Sequence, residues 1–294
     1  MKYTLENDLL KVTFDSFGAE IKSVIGKKNG REYIWNGDPS YWNRTAPVLF
    51  PFVGSLKDNK YIFEGKAYNM TSHGFARDLE HEMVEITDTS ISFILRDSAK
   101  TYENYPFHFE FKNTYQLEGD TITVTWAVTN PGQDRDDKTL YFSVGAHPAF
   151  MCPIYGEADK SGYRLFFDGI NELHHHGNLT GTCTHEDLTL TLTDNRAVIT
   201  PEFFDRTTYI AEGNQTGKIG LETPDGKRIV TVTFDAPLFG IWSPEKKNAP
   251  FLCIEPWYGR ADYDDYSGDL TSRDYCNKIS ENEVFEKSYR MKFE

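Results

Sequence analysis

Apolar residues recur at every second position from one end of this chain to the other. Leu10, Val12 and Phe14 alternate with Lys11, Thr13 and Asp15, and Ile122, Val124, Trp126 and Val128 alternate mainly with threonines. Leu188, Leu190 and Leu192 repeat the pattern, as do Val230, Val232 and Phe234, while Phe107, Phe109 and Phe111 alternate with His108, Glu110 and Lys112. Successive side chains of a strand point to opposite faces, so each run predicts a strand with one buried face. No long segment carries helical periodicity. Turn signals separate the runs: "GKKNG", "NPGQD" and "TPDGK". Many strands with turn punctuation predict an all-β protein, a large antiparallel β-sandwich or a barrel. No Pro/Ser-rich linker, repeat or low-complexity tract interrupts the 294 residues, so residues 1–294 read as a single domain. The charged stretch "NPGQDRDD" reads as a solvated hairpin loop.

The formal net charge of −14 sets a field that repels nucleic acid and anionic membranes, so neither is expected as a partner. It leaves room for a small anion held by a local arginine. The opening "MKYTLENDLLKVTF" is neither a signal peptide nor a membrane span, and no later run is long and apolar enough to cross a bilayer. Cys152, Cys183, Cys253 and Cys276 are widely spaced with no C-x-x-C pair, which predicts free thiols and a cytoplasmic protein. Aromatic residues make up 15%, enough to line a cleft as well as a core.

Two stretches share an unusual local design. His147 precedes Pro148 in "GAHPAF", and Glu255 precedes Pro256 in "FLCIEPWYGRAD". A residue before proline is held in extended conformation, so both titratable groups are presented from stiff backbone where an apolar strand ends. Proton transfer needs such rigid placement. A glutamate following "FLCI" is expected to be partly desolvated, with its pKa raised towards neutrality. Taken alone, each also suits a structural residue: a hydrogen-bonded histidine at a strand end, an ion-paired glutamate.

In "SHGFARD", Gly74 permits a tight turn that exposes His73 and aims Arg77 at the same space. Arg44, in "YWNRTAPVLFPFVG", stands ahead of an apolar run and offers a five-donor fork suited to hydroxyls or phosphate. Asp205, in "PEFFDRTTYI", sits at an expected strand entry, where it accepts from hydroxyls or pairs with Arg206. The run His174, His175, His176 has no paired ligand spacing and reads as a solvated loop, so no metal is expected. The chain also lacks G-x-G-x-x-G, Walker and G-x-S-x-G patterns, which argues against nucleotide cofactors and serine hydrolysis.

Taken together, "NRTAPVLFPFVG", "HGFAR", "GAHPAF", "FFDRTTYI" and "FLCIEPWYGRAD", in that order, resemble the aldose 1-epimerase (galactose mutarotase) family, most closely its LacX-like branch. The resemblance implies a β-sandwich of the galactose-mutarotase type and a cofactor-independent isomerase. It implies Glu255 as general base at the anomeric hydroxyl and His147 as general acid at the ring oxygen. It places His73 near that oxygen, and Arg44 and Asp205 in the sugar pocket. "HGFAR" is shared with relatives acting on hexose 6-phosphates, so Arg44 and Arg77 are also candidates for a phosphate. The implied partner is a monosaccharide or sugar phosphate, taken up by a monomer or weak homodimer. Two alternatives stand beside an aldose mutarotase: a hexose-6-phosphate mutarotase, and a non-catalytic sugar-binding protein on the same scaffold.

Overall fold

The structure, a computed structural model, describes residues 1–179, 181–205 and 208–294. It is all-β. A nine-stranded antiparallel sheet runs in the order Arg196–Val198, Arg164–Phe167, Lys218–Glu222, Arg228–Phe234, Val284–Phe293, Thr121–Thr129, Glu110–Glu118, Ser90–Arg96, Glu82–Ile86. An eight-stranded sheet runs Thr182–Thr191, Glu172–Leu179, Tyr209–Glu212, Leu238–Trp242, Phe251–Tyr258, Val144–Ala146, Val48–Leu49, with Ala149–Met151 also paired to Phe251–Tyr258. The N-terminal strands Lys2–Glu6, Leu10–Asp15, Glu20–Gly26 and Arg31–Glu32 form a four-stranded sheet.

Alternation decides which side chains fill the space between layers. Ile122, Val124, Trp126 and Val128 are buried, while the threonines between them stay half-exposed. Trp126 meets Tyr258 of the eight-stranded sheet at 6.3 Å between rings, and Phe14 of the N-terminal sheet meets Tyr115 at 5.0 Å. Phe50 stacks on Phe111 at 4.4 Å. These contacts join three sheets through one apolar core. The one α-helix among the described residues, Ala99–Asn104, is held by a capping box between Ser98 and Thr101.

Three local expectations are corrected. Phe107 and Phe109 are buried, but the strand begins only at Glu110, because the two rings fill the core from an irregular approach. Leu192 is buried just beyond the strand that carries Leu188 and Leu190. The three histidines lie in the strand Glu172–Leu179 rather than a solvated loop. Their faces alternate: His175 is buried against Tyr209, and His176 bonds Glu212 Oε1 at 2.8 Å.

Candidate active site

The strand Phe251–Tyr258 is buried along its whole length because both of its faces are covered. Leu252, Ile254 and Tyr258 enter the main core. Phe251, Cys253, Glu255 and Trp257 take the other face, where Phe251 and Cys253 pack with Trp35 and Ala149. Glu255 is therefore a carboxyl set into an apolar wall, 1% exposed.

His147 comes to it from the adjoining chain. The strands on either side of His147 both pair with the glutamate's own strand, Gly145 opposite Trp257 and Ala149 opposite Cys253. The intervening His-Pro step carries the imidazole over Glu255. His147 N–H donates to the Pro47 carbonyl, which fixes the backbone. His147 Nε2 then lies 3.2 Å from Glu255 Oε2. The pair has the distance of an ion pair without the alignment of a hydrogen bond. Both carboxylate oxygens, His147 Nδ1 and Trp257 Nε1 are buried with no hydrogen-bond partner in the protein. Unsatisfied groups gathered at one cavity floor point to a polar ligand that completes them.

His73 approaches at 5.4 Å between rings from His147. It sits at φ 65°, and Gly74 follows at φ 72° with its Cα so close to Phe50 that a Cβ would lie 2.3 Å from the Phe50 carbonyl oxygen. Only glycine fits there. Gly54 N–H donates to His73 Nδ1 at 3.1 Å, so the neutral ring carries its proton on Nε2 and is a donor. Arg77 is anchored by donating to the Ser72 carbonyl at 2.6 Å, while its buried Nε makes no hydrogen bond and pairs with Asp78 Oδ2 only at 3.8 Å.

Glu255, His147, His73 and Arg77 all line one cavity of about 300 Å³. Its remaining wall includes Trp42, Trp242 and Trp257, with Asn178, Thr208 and Glu245 at its polar side. Trp42 covers His147 at 4.8 Å and 30° between rings, and Trp242 meets both. The tryptophans supply flat apolar faces beside convergent polar groups, the make-up of a small-ligand site.

Arg44 and Asp205 are not on this wall. Arg44 Nη2 bonds Asp78 Oδ1 at 2.8 Å. Asp205 lies in a turn ahead of the strand Tyr209–Glu212, a correction to the expected strand entry, and accepts from Lys246 N–H at 3.1 Å. The alternative pairing with Arg206 lies outside the described residues. Trp242, Asn178, Thr208 and Glu245 escaped the sequence reading. A tryptophan followed by Ser-Pro at a strand end was the available signal for Trp242; the others had none.

Burial dominates the electrostatics. It pushes the Glu255 carboxyl well above the usual carboxylate range, with Trp257 and the Arg77 guanidinium acting the other way. Burial, then Arg77, lowers His147 to about 3. His73 is likewise driven well down, by burial first and then by Arg77. The Glu255–His147 pair therefore prefers to share one proton without separated charge.

Comparison with known proteins places the chain in a family. The aldose 1-epimerase family profile matches residues 1–281. The plasmid-encoded protein LacX of Lactococcus lactis is 29% identical over 298 aligned residues, covering 98% of both chains. A galactose mutarotase related enzyme from Lactobacillus acidophilus superposes with a TM-score of 0.93 at 34% identity, covering 100% of this chain and 97% of that one. A galactose mutarotase-like protein from Lactobacillus casei gives 0.90 at 28% identity over the full length of both. A buried Glu–His pair under a tryptophan-walled cavity, on a sandwich shared from end to end with these proteins, makes this chain a member of the aldose 1-epimerase family.

Proposed function

We propose that this protein is a mutarotase that interconverts the α and β anomers of an aldose by opening and reclosing its ring, with Glu255 and His147 as the acid/base pair. The observation that carries this is the 3.2 Å approach of His147 Nε2 to Glu255 Oε2 at the floor of a cavity of sugar size. With the shared proton on His147, Glu255 takes the proton from the anomeric hydroxyl as His147 delivers its own to the ring oxygen. The C1–O5 bond breaks, C1 becomes an aldehyde, and rotation about C1–C2 presents its other face. Reclosure returns both protons. In reclosure Glu255 returns its proton to the anomeric oxygen and His147 takes its proton back from O5, so the pair is reset after each turnover. His73 Nε2–H is placed to donate to a ring or anomeric oxygen, and a pyranose face packs on the tryptophans.

Arg77 on the wall favours a second substrate form, an aldose 6-phosphate, since its guanidinium lines the cavity with its paired carboxylate, Asp78, 3.8 Å away. Arg44 and Asp205 reach a sugar only at the cavity's margin in this reading. The protein acts as one domain, a cytoplasmic monomer or weak homodimer, without a cofactor. No helix among the described residues is long and apolar enough to cross a membrane, in keeping with this reading.

The test is anomer exchange by NMR across aldoses and their 6-phosphates. Acceleration lost in a folded Glu255→Gln variant supports the reading. Wild-type rates in that variant reject Glu255 as a proton-transfer group, and sugar-induced shifts without acceleration make the protein a sugar binder.

A further inference from the structure

The acid/base pair has a third neighbour that sugar chemistry does not use. Cys253 precedes Glu255 by two positions on the same strand, so its thiol emerges on the same face. One donor atom each from His147, Cys253 and Glu255 lie within 4.8 Å of one another. The three residues are 7%, 0% and 1% exposed. Both Glu255 oxygens and His147 Nδ1 lack hydrogen-bond partners, so an ion would replace only the 3.2 Å approach of Glu255 to His147.

We propose that His147, Cys253 and Glu255 form a zinc-binding site, and that bound zinc switches the cavity off. A nitrogen, a sulfur and an oxygen ligand, two of them from residues that line the cavity, form a donor set that suits zinc. The thiolate selects zinc over magnesium or calcium, which take oxygen ligands. Charge also balances. A thiolate and a carboxylate cancel the two positive charges of the ion, so the loaded site is neutral overall and buries no net charge. On binding, the Cys253 thiol proton and the proton shared by Glu255 and His147 both pass to solvent buffer while the three ligands bond the zinc, with no oxidation or reduction. Zinc then occupies the lone pairs through which Glu255 and His147 would move protons. No linear motif announces the site, because two of the ligands come from one strand and the third from a neighbouring segment.

Only the switching consequence rests on the mutarotase reading; the binding itself is measured without sugar. Cobalt(II) serves as the spectroscopic probe, since a thiolate ligand gives a near-ultraviolet charge-transfer band. Wild-type protein is expected to show this band, to lose it on adding one equivalent of zinc, and to bind zinc at least about tenfold more tightly than Cys253→Ser. Should Cys253→Ser fail to fold, Glu255→Gln is expected to weaken zinc by the same factor. No cobalt–thiolate band, or equal zinc affinity in wild type and variant, overturns the site. Binding confined to surface groups such as His174 and His185 would give that second result. If the band is present but zinc leaves anomer exchange untouched, the switching claim falls.

Discussion

Gly240 lies opposite Glu255 in the pairing of Leu238–Trp242 with Phe251–Tyr258, and the Trp257 ring occupies the space where a Gly240 side chain would stand. A Cβ there would fall 2.5 Å from the ring's Cζ2 and Cη2 atoms. Gly145, on the other side of the strand, is as close-packed, with a built Cβ 2.8 Å from Trp257 Cδ1. Two glycines on the flanking strands thus hold one indole against the catalytic face. Gly240→Ala should push the ring into the cavity or lift the strand, costing about 1–3 kcal/mol of stability, as overpacking does. Anomer exchange should fall well beyond that of a surface Gly→Ala control such as Gly119→Ala. Urea unfolding and NMR exchange on the same samples check both.

On the proposed mechanism Glu255 and His147 act as a unit, so their losses should not add. Glu255→Gln and His147→Asn are each expected to lower turnover by about 10²–10⁴, and the double variant by little more than the stronger single one. Losses that multiply would show that the two groups work in separate steps. Circular dichroism must first show all three variants folded.

The sandwich was legible because alternation is a backbone property: Val12, Val124 and Val232 declare a buried face wherever a strand runs. It failed where side chains reach the core without a strand. Phe107 and Phe109 kept the period but left the sheet, and the three histidines hid a strand behind a polar composition. The four residues that meet in the cavity, Glu255, His147, His73 and Arg77, each carried a local mark, a following proline or a glycine turn. Asn178, Thr208 and Glu245 carried none. They reach the cavity singly from separate elements, and only folding brings them to one wall.

The two arginines of the sequence reading now separate. Arg44 is hydrogen-bonded to Asp78 in a partly exposed pair, whereas Arg77 stands 3.8 Å from the same carboxylate and lines the cavity. Arg44→Ala should change kcat/KM for any sugar by less than about fivefold, because such a pair is worth about 0–1 kcal/mol. Arg77→Ala should cost at least about tenfold, the scale of a hydrogen bond from a charged group. If a 6-phosphate is the substrate, the Arg77 loss should be larger for the phosphate than for the free aldose. Equal losses for both would remove the phosphate role from Arg77.

His81 ties acid stability to the segment that carries Arg77. Its ring is buried, Nε2 donates to the Ala76 carbonyl at 2.9 Å, and Nδ1 has no partner. Burial lowers its pKa from the ordinary histidine value to about 4, against smaller opposing effects from the Ala76 carbonyl and Glu80. The folded state therefore holds a neutral ring while the unfolded chain takes up a proton below about pH 6.5. A depressed histidine pKa means that the unfolded state binds more protons in this window, so stability is full above about 6.5 and is lost as pH falls towards 4. The loss attributable to His81 is on the order of 3 kcal/mol by the bottom of that window. His81→Gln, which keeps a donor but cannot titrate, should flatten the pH dependence of urea unfolding between pH 7 and 4.5 relative to wild type. The buried His147 and His73 contribute in the same direction in both proteins, so the difference between the two curves isolates His81. Parallel curves would show that acid lability arises elsewhere.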